Sequence, residues 1–307
     1  MGTRKIAIVK PRSEGVYYHR FLTPFALMQD MDVTVIDGFH NDNCRPDMFD
    51  VIIFSTGLEQ SLDWLKYAKQ KGVKIIVDID DAIDLHFKHP KYNHLYTPVA
   101  SDHIRKCIAY ADDVWAANEQ ILKRYGLKGK VIPNALNYDD DQWTIPSKPL
   151  MYLGGVFSDS RAYDLFEFRK ITTDAAILGC QAVSKFYKNI YKPLKYYEYG
   201  FFYSNIKVAF SYLSERIGLF NDLKSNLKVI EAGAYSLPII ASNRLPYANT
   251  PKQGGYLCSN KSEWLNAIKK LRDDKRRSDM GSYLNEWTKK HYDIRKINQA
   301  RYESINS

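Results

Sequence analysis

Short apolar runs and longer amphipathic stretches alternate along the whole chain, and that alternation sets the expected fold. Residues 5–9, 32–36, 50–54, 74–79, 113–117 and 130–132 are rich in valine and isoleucine and mostly end in polar or small residues. Runs of this length with little polar alternation are expected to be buried parallel strands. Between them, 58–71 and 101–111 repeat their apolar side chains at helical spacing, the second opened by Ser101-Asp102 as its expected cap. Repeated strand, helix, strand units predict a doubly wound α/β sheet.

The pattern pauses in 134–149, a polar stretch with three consecutive aspartates and two prolines, which is the expected linker. A second series follows, with strands at 150–153, 175–178, 207–210 and 238–241 and helices around 161–170, 227–235 and 262–271. The closing stretch, 277–306, is charged and free of proline, and is expected to be helical and to pack back on the body. The expected organisation is therefore an α/β chain with an N-terminal Rossmann-like domain over 1–145, a second over 146–288, and a closing helix over 289–307 that returns to the first.

Composition narrows the class. A length of 307 residues suits two domains, and 45% hydrophobic with 26% charged residues excludes disordered, collagen-like and disulfide-scaffold chains. The four cysteines, Cys44, Cys107, Cys180 and Cys258, are scattered with no short C-x-x-C pair, so reduced thiols are expected, with neither disulfide nor structural zinc. Nowhere do about 18 apolar residues run uninterrupted. The expectation is a soluble cytoplasmic protein. Lysine and arginine outnumber aspartate and glutamate by 44 to 35, giving +9, which favours anionic partners but is spread over helix faces as a solubilising surface would be.

Four segments carry candidate chemistry. The first is Met151-Tyr-Leu-Gly-Gly-Val-Phe-Ser-Asp-Ser-Arg161, a strand expected to run through a Gly154-Gly155 turn into a helix. Glycine lets a backbone approach a ligand, a helix N-terminus favours a diphosphate, and Arg161 adds a fixed charge; the bland reading is a tight turn. The second is Asn221-Asp-Leu-Lys-Ser-Asn-Leu-Lys-Val-Ile-Glu-Ala-Gly-Ala. Here the spacings of four and three place Lys224, Lys228 and Glu231 on one face of a helix near its N-terminal turns, with Ser225 beside them. Such cations suit phosphate oxygens and Glu231 suits ribose hydroxyls, against the alternative of a solvated Lys–Glu pair.

The third is Asp78-Ile-Asp80-Asp81-Ala-Ile-Asp84, at the end of the expected strand 74–79. A carboxylate there suits a general base whose neighbours raise its proton affinity; helix capping and divalent-metal binding by Asp78-x-Asp80 are the alternatives. The fourth is the expected loop Lys10-Pro-Arg12-Ser-Glu-Gly15-Val-Tyr-Tyr-His19-Arg20, in which His19 is a candidate acid or base and otherwise a structural histidine. With His86, Lys88, His89, Lys91 and His94 it makes the mouth of the first domain basic and aromatic, fitting an anionic or stacked acceptor.

The second segment resembles the nucleotide-binding signature of GT-B glycosyltransferases, in which a Lys or Arg precedes a Glu in a helix followed by a strand such as Pro238-Ile-Ile-Ala. The likeness extends to Gly154-Gly155 with Arg161, to Val131-Ile-Pro-Asn134-Ala and to the long closing helix. It implies two Rossmann-like domains facing a cleft. Lys224 stands where the retaining GT-B pattern places its first Glu, seven residues before Glu231. A narrower likeness is to inverting phage DNA glucosyltransferases, carried by Tyr152-Leu-Gly-Gly-x-Phe with an arginine and by Asn221-Asp-(four residues)-Leu-Lys-Val-Ile-Glu. That likeness implies an aspartate base, which Val77-Asp78-Ile79 matches.

The implied activity is transfer of a hexose or pentose from a nucleotide-sugar, a UDP-sugar foremost, to a hydroxyl. The acceptor is either a glycan or a hydroxymethylated base of double-stranded DNA. No cofactor or metal is expected beyond the donor itself, held by Gly154, Gly155, Arg161, Lys224, Ser225, Lys228 and Glu231, with Asp78, Asp80, Asp81 and His19 as catalytic candidates. The alternative is a non-catalytic nucleotide-sugar or nucleic-acid binding protein on the same scaffold. The absence of G-x-G-x-x-G after the first strand disfavours a dehydrogenase.

Overall fold

The apolar runs become strands because each can bury both of its faces, and the amphipathic segments between them become the covering helices. The structure, a computed structural model, describes residues 3–11, 14–36, 44–55, 62–83, 98–139 and 149–307. In chain order the first half holds β1 (Arg4–Val9), α1 (Glu14–Val16), a π-helical segment (Tyr17–Leu22), α2 (Thr23–Ala26), β2 (Met31–Ile36), β3 (Val51–Ser55) and α3 (Leu62–Gln70). It continues with β4 (Lys74–Ile79), α4 (Pro98–Ile108), β5 (Asp113–Ala116), α5 (Glu119–Tyr125) and β6 (Lys130–Val131). The second half holds β7 (Met151–Val156), α6 (Ala162–Phe168), β8 (Ala176–Leu178), β9 (Asn189–Tyr191), α7 (Tyr199–Tyr203), β10 (Ile206–Ser211) and α8 (Gly218–Asp222). Then come α9 (Leu227–Ala234), β11 (Ile239–Ser242), β12 (Gly255–Cys258), α10 (Lys261–Lys270), α11 (Asp274–Tyr292) and α12 (Ile294–Asn306).

These elements divide into two units, one of 1–135 with 223–225 and 294–307, the other of 136–222 with 226–293. The sequence-based boundaries fell at 145/146 and 288/289.

The first unit is a six-stranded parallel sheet in the order β2-β1-β3-β4-β5-β6. Ile6, Ile8, Ile53, Ile76 and Trp115 form its interior with Phe21 and Ile305. The last helix, α12, is tied to this sheet by polar contacts. Trp115 Nε1 donates to Ser304 Oγ at 2.8 Å, and the Asn298 amide donates to Pro24 O at 2.7 Å.

The second unit is also six-stranded and parallel, in the order β12-β11-β10-β7-β8-β9. This is the strand order of dinucleotide-binding folds, and it reverses between β7 and β10, where such sheets take ligands outside their carboxyl ends. On one face α6 and α10 bury Phe168 and Trp264 against Phe210, the Phe168 and Phe210 rings stacking at 4.4 Å. On the other, Val229 and Ala232 of α9 pack with Val156, Phe202, Tyr203 and Leu284. Helices α9 and α11 pack closely, and the Asn285 amide of α11 donates to Gly233 O at 2.8 Å. A Cβ at Gly233 would strike the Thr288 side chain, and one at Gly281 would strike the Ser236 carbonyl.

Several expectations change. The helix placed at 101–111 begins at Pro98, so Ser101 is no cap; its hydroxyl donates instead to Ile83 O at 2.9 Å. The expected loop after β1 is helical over 14–26, its π-helical part ending where the Thr23 N–H bonds to Tyr18 O. The closing stretch is two helices, because Asp293 is extended (φ −63°, ψ 130°) and bridges to Leu136. Strands β9 and β12 are additions that their glycine- and lysine-rich surroundings concealed. The candidates Arg12, Asp84, His86, Lys88, His89, Lys91 and His94, and 140–148 of the expected linker, lie outside the described residues. Among the described residues no helix is long and apolar enough to cross a membrane.

Because the atom that a Cβ at position 281 would strike is backbone, Gly281→Ala cannot be relieved by a rotamer change. It should lower the unfolding free energy by about 1–3 kcal/mol, read in urea denaturation.

Candidate functional site

In the second unit two groups of polar residues lie near the carboxyl end of β10. The first is centred on Asp164, which is fully buried in α6. Its carboxylate accepts from Arg161 Nε at 2.5 Å, from the Ser214 N–H at 2.6 Å and from the Asn221 amide at 3.1 Å. Asn221, also fully buried, donates to Ser214 O at 2.9 Å. The loop leaving β10 is thus fastened to α6 through one carboxylate. Arg161, expected as a bare phosphate cation, is ion-paired, and only 15% of its side-chain surface remains exposed. Asp222 pairs with Arg244 at 2.8 Å and extends the same fastening.

The second group is on α9. Helix α9 begins at Leu227, with Asn226 as its N-cap residue, so it carries Lys228 and Glu231 but not Lys224. The Asn226 side chain makes no cap hydrogen bond and donates instead to Tyr292 Oη at 2.7 Å; with Lys224 before the helix, the shared face expected for all three side chains is not formed. Glu231 is 3% exposed, and its Oε2 accepts from Tyr203 Oη at 2.6 Å and Lys228 Nζ at 2.8 Å. Burial, and next the Glu231 charge, push the Tyr203 hydroxyl well above its usual range, so it stays a donor. Lys228 also stands 5.8 Å over the Tyr199 ring.

Tyr247 links the groups. Buried and hydrogen-bonded to Ser211 Oγ at 2.6 Å, it has its hydroxyl pushed up to about 12, mainly by burial. The Ser211 bond and Arg161 oppose that shift, while Asp164 and Glu231 add to it.

Gly154 and Gly155 are inside β7 rather than in a turn. A Cβ on Gly155 would come within 2.6 Å of the Phe157 ring and 2.8 Å of Phe210 O, and one on Gly154 would meet Ile206 and Phe202. The glycines are therefore required by strand packing within the unit. The turn expected at them comes later, at Phe157 and Ser158.

The first unit holds the aspartate cluster at the end of β4. Asp78 is 1% exposed and both its oxygens are taken by Arg20, Nε bonding Oδ2 at 2.9 Å and Nη2 bonding Oδ1. The remaining Arg20 arm donates to Ile132 O. Arg20, expected at a solvent-facing mouth, is thus interior, because the π-helical segment turns it toward the sheet. His19 beside it is 5% exposed and packs edge-on against Tyr18 at 5.1 Å. Asp81 is bound by Lys224 Nζ. The 223–225 segment is itself held in this unit: the Asn118 amide donates to Leu223 O at 3.0 Å, and the Asn134 amide to Ser225 Oγ at 2.9 Å.

Asp80, between the two paired aspartates, has no hydrogen bond or ion pair among the described residues. Its carboxyl is pushed up to about 7, first by burial, then by Asp81 and Asp78, with Arg20 and Lys224 opposing. Among the described residues no cluster of three or more His, Cys, Asp or Glu side chains is arranged to hold a metal.

These two parallel sheets with interleaved helices define an α/β chain with the GT-B fold. Among solved structures it matches Anabaena HepE in complex with UDP-glucose, at a TM-score of 0.67 and 11% identity over 99% of each chain. It matches a T4 phage BGT mutant in complex with UDP-glucose at 0.60 and 14%, over 99% of this chain and 100% of that one. A mutant of S. aureus TarM in complex with fondaparinux, α-GlcNAc-glycerol and UDP matches at 0.63 and 15%, over 84% of this chain and 55% of that one. The chain thus spans about half the length of the TarM structure. No family model and no curated protein matches it.

Removing the Asp164 carboxylate leaves a guanidinium, a backbone N–H and a buried amide without their acceptor. Asp164→Ala should therefore destabilise the protein by roughly 3–5 kcal/mol, measured by chemical denaturation.

Proposed function

We propose that the protein is a glycosyltransferase that takes a sugar from a nucleotide-sugar, a UDP-sugar foremost, and delivers it to a hydroxyl. The observation that carries this reading is the buried Glu231 with Lys228 bound to it, at the carboxyl end of a sheet in the strand order of nucleotide-binding folds. It gains support from the fold, since structural neighbours are solved with UDP-glucose or UDP.

Glu231 presents a fixed acceptor suited to the ribose hydroxyls, and Lys228 a cation suited to the diphosphate. Arg161, oriented by Asp164, adds a second charge for the leaving diphosphate, whose developing negative charge such fixed cations stabilise. Gly154 and Gly155 contribute by letting β7 and β10 close, which sets the path of the loop carrying Arg161. Lys224 and Ser225 act from the first unit, Lys224 as the partner of Asp81. Asp80 is the general base that accepts the acceptor's proton: among the described residues it is the carboxylate of the cluster that forms no ion pair, and its proton affinity lies near neutrality, where a base works best. Asp78 and His19, buried in internal contacts, support it rather than react.

The acceptor hydroxyl belongs to a glycan or to a hydroxymethylated DNA base, and salt separates the two. Binding to duplex DNA should weaken steeply between 50 and 200 mM salt, roughly 10³-fold or more if six or more phosphates are contacted, whereas binding to a neutral glycan should barely respond.

Calorimetry with UDP-glucose tests the donor site. Glu231→Ala should weaken binding on the order of tenfold to a hundredfold through the lost charged hydrogen bonds. Unchanged affinity in a folded variant would remove the assignment. The base makes a separate prediction. Activity should fall as pH drops through about 7, where Asp80 takes up its proton, and Asp80→Asn should lower kcat by about 10²–10⁴-fold above that pH and abolish the acid limb.

A further inference from the structure

Two donors meet at one oxygen of Glu231. Tyr203 Oη reaches Oε2 at 2.6 Å and Lys228 Nζ reaches it at 2.8 Å, but the two side chains differ in how readily they can leave. Lys228 is on the same helix, three positions away, 25% exposed and at the end of a flexible four-carbon stem. Tyr203 comes from α7 and is 2% exposed. Its ring stacks on Tyr235 at 4.8 Å and 14°, stands edge-on to Phe202 at 5.9 Å, and packs in the cluster that includes Val229 and Ala232 of α9. With burial and the Glu231 charge holding its proton in place, the hydroxyl is a permanent donor on a ring that packing does not let turn.

We propose that Tyr203 is a positioning residue for the ribose of the donor: its hydroxyl fixes the Glu231 carboxylate for the ribose hydroxyls, and so lets Lys228 turn to the diphosphate. The inference rests on the reading of Glu231 as the ribose acceptor. A carboxylate this deeply buried needs a stationary donor, because every bond it loses uncovers part of its desolvation cost. Were Lys228 its main hold, the diphosphate and the carboxylate would compete for one cation. A donor that stays in place removes that competition, and both ends of the nucleotide can be held together. In Tyr203→Phe the ring and its packing remain, only the hydroxyl is lost, and Lys228 is drawn back to Glu231. The loss then falls chiefly on recognition of the ribose.

Calorimetry on the full-length protein with UDP and 2′-deoxy-UDP reads this without turnover. The wild type should prefer UDP by about tenfold or more, the worth of a hydrogen bond to a charged group. Tyr203→Phe should cut that preference to about threefold or less, whereas Lys228→Met should weaken both ligands several-fold and keep the preference. Placed on Glu231→Ala, Tyr203→Phe should change neither affinity by more than about twofold, since the hydroxyl acts through that carboxylate. A folded Tyr203→Phe that weakens both ligands equally, or neither, leaves the preference intact and overturns the proposal. Should Tyr203→Phe not fold, Lys228→Met decides: a preserved preference supports the hold by Tyr203, and a lost one assigns the hold to Lys228 and overturns it.

Turnover supplies the second readout. Tyr203→Phe should raise the KM for UDP-glucose about tenfold and leave kcat within about threefold, the pattern of binding lost equally from ground and transition states. A fall in kcat at unchanged KM would place the hydroxyl in the chemical step and overturn the positioning role. The wild type separates the two readings. Equal affinity for UDP and 2′-deoxy-UDP in the wild type, or unaltered binding in Glu231→Ala, removes Glu231 from the ribose and this proposal with it. A preference that vanishes in Glu231→Ala and survives in Tyr203→Phe leaves the ribose site standing and removes Tyr203 alone.

Discussion

A carboxylate taken out of water must be answered by donors or a cation, and that requirement organises both units of this chain. Asp78, Asp164 and Glu231 are each 3% exposed or less. Asp78 is answered by a bidentate guanidinium, Asp164 by Arg161, an amide and a backbone N–H, and Glu231 by Lys228 and a tyrosine hydroxyl. Each arrangement joins segments far apart in sequence: the π-helical segment to β4, the loop after β10 to α6, and α7 to α9. The polar contacts thus fix the loops at strand ends, where the hydrophobic core, confined to the sheet faces, has little hold.

The same requirement explains how neighbouring aspartates come to differ. Asp78 has Arg20 and Asp81 has Lys224, and Asp80 between them faces both carboxylates and forms no ion pair among the described residues. Burial first, and these two neighbouring carboxylates next, raise the proton affinity of Asp80. Lys224 gains its meaning here: in the pairing observed it serves the aspartate cluster of the first unit, and α9 of the second unit begins only after it.

Much of the architecture was legible in the apolar pattern, because parallel strands buried on both faces leave near-continuous runs of valine and isoleucine. The strand 74–79 was read to the residue, and β1, β5 and β8 to within one or two. What escaped had weak apolar signals. Strand β12 opens on Gly255, which reads as a turn signal, and β9 is three residues set among exposed lysines. The break at Asp293 interrupts a run whose helical propensity is continuous, since it arises from a bridge to Leu136 that only the fold supplies.

The candidate site was legible by residue type and less so by role. Lys228 and Glu231 pair as their i,i+3 spacing allows, and the aspartate cluster falls at its strand end as expected. Arg161 and Arg20 were read as ligand-facing cations, yet each has a buried aspartate as its partner. For Arg161 the clue was local, since Asp164 stands three residues on, within reach along one helical turn. For Arg20 no local clue existed: Asp78 is 58 positions away, and only the sheet brings them together. Sequence spacing reveals pairs that share a helix, while pairs made by sheet topology appear as unattached charges. An arginine flanked by aromatic residues in the segment that follows a buried strand is for that reason as strong a candidate for an interior clamp as for a ligand contact, and the deciding quantity is how much of its side chain the fold leaves in water.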